Sequence, residues 1–160
     1  MTSLISKLRV IVFALFVMAT VSIHAQQPSA EDMLSNVAKL KRIEAMQPDS
    51  VQPKYQLALQ CLSFAVTYPH AQQTENVIAE AEQTIALMSK MKAADPSDIC
   101  MLRGFLYMVR IVQDPAQNGQ RYYLDVLQNY EKALKLNPNN QLAKDLQQKF
   151  YKGMEAASNH

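Results

Sequence analysis

The stretch Tyr130-Glu131-Lys132-Ala133-Leu134-Lys135-Leu136-Asn137-Pro138-Asn139 sets the pattern from which the fold of this 160-residue chain can be predicted. Good helix formers run up to Leu136, and the proline two residues later cannot continue a helix because it lacks the N–H group. The asparagines beside it can accept hydrogen bonds from the free N–H groups of a following helix. The stretch therefore predicts two helices joined by a short turn.

Two similar turns lie upstream of this one. They are Gln47-Pro48-Asp49-Ser50 and Asp95-Pro96-Ser97-Asp98, and each follows a helix-like run. In both, a proline stands beside Asp or Ser side chains that can cap the next helix. The chain is therefore predicted to repeat a helix–turn–helix unit.

The apolar residues between the turns recur at steps of three and four, which is the helical period. No sustained alternation of the kind that strands show is present. Six stripes of this kind cover Met33–Ile43, Leu57–Ala65, Val77–Met91, Ile99–Val112, Tyr123–Leu136 and Leu142–Phe150. Short connections broken by proline predict an all-α fold of about six antiparallel helices. We expect one domain over residues 26–155 and a disordered tail at 156–160.

The last of these units resembles a tetratricopeptide repeat. Tyr130, Ala133 and Pro138 match the aromatic residue, the alanine and the proline that close its second helix, and Gly104 and Tyr107 match the small residue and the tyrosine of its first helix. The resemblance implies that helical hairpins stack as a short α-solenoid. The chain also resembles small exported repeat proteins of Bacteroidota-type bacteria.

The match to the repeat is uneven along the chain. It is good over residues 99–140, where the segment 114–120 is interpreted as part of an insertion of about ten residues relative to the usual unit. The upstream hairpin from Pro53 to Ala94 shares the architecture, but its second helix is too long for the family pattern. The resemblance therefore carries most weight in the second half of the chain.

The first 25 residues are predicted to be a secretory signal peptide. Lys7 and Arg9 precede an apolar run of 14 residues, Val10–Ile23, and Ala25 is a small residue suited to the cleavage site. About 20 apolar residues are needed to span a membrane, and this run has only 14. An uncleaved membrane anchor is therefore the second interpretation rather than the first. The mature chain, from Gln26, is expected in a bacterial periplasm or outside the cell, with membrane contact only through the leader.

Removal of this leader makes the chain electrically neutral. The whole sequence has 16 basic and 14 acidic residues, but all 14 acidic residues follow Ala25, and Lys7 and Arg9 leave with the leader. A neutral protein has no strong overall field that attracts nucleic-acid phosphates or anionic lipids. We therefore expect no nucleic-acid partner.

The sequence contains no recognisable catalytic or metal-binding arrangement. His70 lies in a turn and His160 is the last residue, and no Cys or His pair has zinc spacing. Cys61 and Cys100 lie in apolar helical stretches and are interpreted as buried small residues, with a disulfide between them as the open alternative. We therefore predict a protein that is not an enzyme and that has no cofactor.

The candidate binding residues form a stripe on the fourth predicted helix. Arg103, Tyr107 and Arg110 are spaced so that they share one helix face, and Arg121 and Tyr122 are expected to open the next helix. A guanidinium can bind a carboxylate through two hydrogen bonds, and tyrosine adds flat contact area. In tetratricopeptide-like stacks the first helix of each hairpin lines a groove that binds peptides, so the resemblance places these residues in such a groove.

Tyr55, on the first helix of the preceding hairpin, is expected to line the same groove. A structural interpretation of the two stripe arginines stays open. Arg103 and Arg110 would then extend to water, or tie down a loop from Asp114 to Arg121 through Asp114 or Asp98.

Taken together, these features predict an exported interaction module that binds a protein or peptide in the cell envelope. The alternative is a structural or assembly component that self-associates or packs into a larger envelope complex.

Overall fold

The computed structural model describes residues 28–158, and helices are the only regular secondary structure in that part of the chain. It forms α1 (Ala30–Met46), α2 (Val51–Thr67), α3 (Thr74–Met88), α4 (Pro96–Gln113), α5 (Pro115–Leu136) and α6 (Gln141–Ser158). The all-α prediction and its six helices are thereby confirmed for this part of the chain. The predicted signal peptide lies outside the described residues. None of the six helices is both long and apolar enough to cross a membrane.

Three helices begin at the proline turns that the sequence marks: α2 and α6 directly after their turns, and α4 at Pro96 inside its turn. Asp95 caps α4, because its side chain accepts a hydrogen bond of 2.8 Å from the Ser97 amide, and Pro96 occupies the first turn. At α6 the Asn140 side chain accepts one of 3.1 Å from the Ala143 amide. Side-chain capping therefore supports the starts of α4 and α6, whereas Ser50 at the start of α2 makes no capping hydrogen bond.

The segment from Asp114 onward differs from its predicted form. The sequence suggests a loop here with a helix opening at Arg121, but α5 already begins at Pro115. Asp114 accepts a hydrogen bond of 3.1 Å from the Gln117 amide, and Asn118 donates one of 2.8 Å to the Arg110 carbonyl at the end of α4. A capping Asp followed by Pro is a strong helix start, and it outweighs the expectation drawn from repeat length.

α4 lies at the centre of the molecule. It contacts α3 and α5, its neighbours in the chain, and also α2 and α6. Leu102, Met101 and Val109 of this helix are fully buried, together with Phe64 of α2 and Tyr130 of α5. Burying one such side chain stabilises the fold by about 1.5–3 kcal/mol, so most of the stability is expected from the surroundings of α4.

Gly104 of α4 packs directly against Tyr130 of α5. A Cβ atom at Gly104 would lie 2.7 Å from Cε1 of the tyrosine ring, which is closer than real side chains pack. The ring is completely buried, and its hydroxyl lies 3.9 Å from the sulfur of Met108. Gly104 is therefore needed because the α4 backbone packs directly against an aromatic ring.

Candidate functional site

The predicted stripe is the exposed side of an otherwise buried stretch of helix. From Cys100 to Val112, every residue of α4 is buried except Arg103, Tyr107 and Arg110. Arg103 is exposed, and the other two are half-buried. Helical spacing therefore places these three side chains together, as expected.

Arg110 is held between two glutamates of α3. Its Nη1 lies 2.9 Å from Oε2 of Glu75, and its Nη2 lies 3.0 Å from Oε1 of Glu82. The hydrogen bond from Arg110, with another from Gln113, lowers the pKa of the Glu75 carboxyl. The carboxylate partners of Arg110 are thus on the preceding helix rather than at Asp114 or Asp98. Its guanidinium already binds the carboxylates that a ligand would otherwise offer.

Arg103 lies two helical turns before Arg110 and has a different kind of partner. Its Nη2 donates a hydrogen bond of 3.0 Å to Oγ of Ser89, which follows α3. Glu75, Glu82 and Ser89 follow one another at intervals of seven residues, and so do Arg103 and Arg110. Seven residues make about two helical turns, so each set lies along one face of its helix. We call the row of contacts between the two sets the α3–α4 ladder. Two of its three contacts are ion pairs, and the third joins Arg103 to a neutral hydroxyl.

An aromatic pair lies on the other side of the stripe. The rings of Tyr107 and Tyr122 stack with their centres 5.3 Å apart and their planes at 22°. The guanidinium carbon of Arg121 lies 5.0 Å from the centre of the Tyr122 ring, a cation–π contact. The structure therefore brings Tyr107 of α4 together with Arg121 and Tyr122 of α5. These three and Arg103 are called the α4–α5 face below.

Tyr55, the remaining candidate, belongs to α2 and lies near the beginning of α4. Burial raises the pKa of its phenol, and the charge of Asp98 raises it further. Asp98 is in the first turn of α4, whereas Arg103 and Arg110 lie further along the helix. In residues 28–155, no hydrogen bond, ion pair or ring contact joins Tyr55 to the other five candidates.

A buried polar cluster at the same end of α4 was not expected from the sequence. Oγ of Ser97 donates 2.9 Å to the Ala133 carbonyl of α5, and Nδ2 of Asn140 donates 2.9 Å to that Oγ and 3.0 Å to Oδ1 of Asp98. The cluster fastens α4 to α5 and α6. Its only signal in the sequence is that Ser97 and Asn140 follow equivalent prolines.

The cysteines of the described part of the chain are buried, and its possible metal ligands do not cluster. Burial, and secondarily the charge of Glu80, raises the pKa of the Cys61 thiol to about 12, so it remains protonated at neutral pH. Cys61 and Cys100 are both buried and unbonded to each other. Residues 28–158 contain no group of three His, Cys, Asp or Glu side chains that could hold a metal ion.

Comparison with known proteins adds no functional clue. No family model matches this chain, and searches of curated proteins and of solved structures found no match. What the protein does must therefore follow from its own residues, and the α4–α5 face is the surface on which they combine charge with flat aromatic area.

Proposed function

We propose that the protein is an exported, non-enzymatic helical-repeat module that binds an extended segment of a partner protein in the cell envelope. Its hairpins would stack as a short solenoid of the tetratricopeptide type. Contacts of α4 with α2 and α6, besides its chain neighbours, support this arrangement, because stacking repeats place equivalent helices side by side.

The observation that carries the proposal is the α4–α5 face itself. A stretch of helix that is otherwise buried exposes an arginine beside a stacked tyrosine pair, and a second arginine lies over the Tyr122 ring of that pair. Arg and Tyr are enriched among the residues that dominate binding energies, since both give a large contact area and directed hydrogen bonds. Arg110 supports this face by holding α3 beside it. Tyr55 lies at the far end and would contact only a long segment.

The experiment is affinity capture from the native envelope with the chain expressed with its leader and tagged at its C-terminus. Replacing Arg103 and Arg121 together by Ala should abolish partner retention. The matched control replaces Lys39 and Arg42, two exposed residues of α1, and removes the same charge without loss of retention. Arg110 is left intact because its loss would unpair two glutamates. Equal partner retention by both variants, with unchanged helical content, would contradict the assignment of the α4–α5 face as the binding surface.

The alternative function is assembly into a larger envelope complex through self-association. Most exposed residues of the two end helices are polar, although Ile43, Met46 and Tyr151 are exposed as well. The exposed polar residues include Glu31, Ser35 and Lys39 on α1 and Gln148 and Lys152 on α6. Polar end caps oppose end-to-end stacking of repeat proteins. We therefore expect light scattering to show a monomer. A stable oligomer that is lost on substitution of Arg103 would favour the assembly function instead.

A further inference from the structure

We propose that the partner segment is acidic, and that one of its carboxylates binds Arg103 in the way that Glu75 and Glu82 bind Arg110. This inference rests on the proposed binding at the α4–α5 face and specifies the chemistry of the partner there.

The α3–α4 ladder itself shows what this geometry binds. α3 carries Glu75 and Glu82, and the guanidinium of Arg110 binds both carboxylates with N···O distances of about 3 Å. At the third contact, Ser89 donates its hydroxyl hydrogen to the Ile85 carbonyl and accepts one hydrogen bond from Arg103. A guanidinium has five N–H donors, so Arg103 keeps donors for a carboxylate that α3 does not supply.

The charges around the face favour the same ligand. Neither Arg103 nor Arg121 makes an ion pair with any residue between 28 and 155. The acids at the two ends of α4, Asp95 and Asp114, are instead engaged as helix caps by the Ser97 and Gln117 amides. Within the described residues, the face therefore carries two guanidinium groups that form no ion pair, and an acidic segment complements their charge.

The two tyrosines of the face determine which residues of the partner segment lie between its acidic side chains. Tyr107 shares a helix face with Arg103, and its ring stacks on that of Tyr122, which lies next to Arg121. Uncharged residues of an extended segment can pack on these rings while acidic residues on either side reach the two arginines. The expected ligand is thus a segment in which carboxylates flank a few uncharged residues.

The test measures binding of a fluorescently labelled, C-terminally amidated peptide in which Glu alternates with Gly and Ser. Its counterpart has Gln in place of every Glu, and a third peptide is this neutral sequence with a free C-terminal carboxylate. We expect fluorescence polarisation to show binding of the Glu peptide that is at least about fivefold tighter than that of the Gln peptide. Binding should weaken between about 0.05 M and about 0.3 M salt.

The decisive variant is Ser89→Glu, which supplies the missing carboxylate of the ladder from within the chain. It should occupy Arg103 and weaken binding of the Glu peptide about threefold to tenfold, as should Arg103→Ala. Gln83→Glu adds the same charge at an exposed position within α3 and is the control for simple repulsion, and Ser89→Gln is the control for size. In the Arg103→Ala background, Ser89→Glu should then weaken binding of the Glu peptide no more than Gln83→Glu does.

The inference is overturned by equal binding of the Glu and Gln peptides, by no Glu-peptide binding up to about 1 mM, or by equal effects of Ser89→Glu and Gln83→Glu. Preference for the free C-terminal carboxylate would also overturn it, because the site would then recognise a chain end. If partner capture still requires Arg103 and Arg121 in any of these cases, the proposed function stands and only the acidic partner is excluded.

Discussion

The two sides of α4 are held by different physical forces. Towards α5 the contact is close and apolar, with the α4 backbone at Gly104 against the buried Tyr130 ring. Towards α3 the exposed edge is polar and rests on the α3–α4 ladder, in which Arg110 joins Glu75 and Glu82. We conclude that packing determines the stability of the α4–α5 hairpin, whereas charge pairing adds a smaller, salt-sensitive term at the junction with α3.

The largest expected effect comes from the apolar side. Tyr130→Ala removes a completely buried ring and leaves a cavity beside Gly104, so the free energy of unfolding should fall by about 3–5 kcal/mol. Urea unfolding followed by circular dichroism measures it. The matched control is Tyr151→Ala, whose side chain is 41% exposed and whose loss should cost under about 1 kcal/mol. Similar losses for both tyrosines would contradict the central role of the α4–α5 contact.

A smaller effect is expected on the polar side. Arg110→Ala leaves Glu75 and Glu82 without their shared cation, but both carboxylates are partly exposed, so the cost should be about 1 kcal/mol. This difference from the unmodified protein should shrink when unfolding is measured at about 0.5 M salt, because salt screens exposed charges. Arg103→Ala is the control, since within the described residues Arg103 donates to the Ser89 hydroxyl and makes no ion pair. A salt-independent loss would mean that Arg110 stabilises the junction through packing.

The smallest effect is a pH dependence that arises from Glu75. Its pKa is lowered in the folded protein, so its ion pair contributes stability above the unfolded pKa of about 4.3, and this is lost as the pH falls through the lowered folded value. Glu75→Gln should therefore have a flatter stability curve below about pH 4.5 than the unmodified protein. Thermal unfolding across that range tests it. Curves that stay parallel would show that Glu75 is not coupled to Arg110.

Several parts of this picture were predictable because they depend on local sequence. Apolar steps of three and four predicted the helices, and the proline turns predicted where α2, α4 and α6 begin. The same spacing placed Arg103, Tyr107 and Arg110 on one face. The start of α5 was missed, although the Asp114-Pro115 pair that begins it is a local signal, because repeat length was given more weight than capping chemistry.

The contacts of the candidate site could not be predicted in the same way. Arg110 and its glutamates are 35 and 28 residues apart in the chain, and the Ser97–Asn140 hydrogen bond spans 43 residues. Which side chains meet over such separations depends on how the helices are aligned when they pack. No periodicity within one helix contains that information.

The sequence by itself thus determined that the chain is helical, where most of its turns lie, and that a stripe of two arginines and a tyrosine faces outward from α4. Only the tertiary structure decided that these arginines differ, with Arg110 neutralised by Glu75 and Glu82 and Arg103 facing Ser89. The physical reason is that a helix face follows from residue spacing alone, whereas the charge state of a surface depends on which neighbouring helix supplies the counterions.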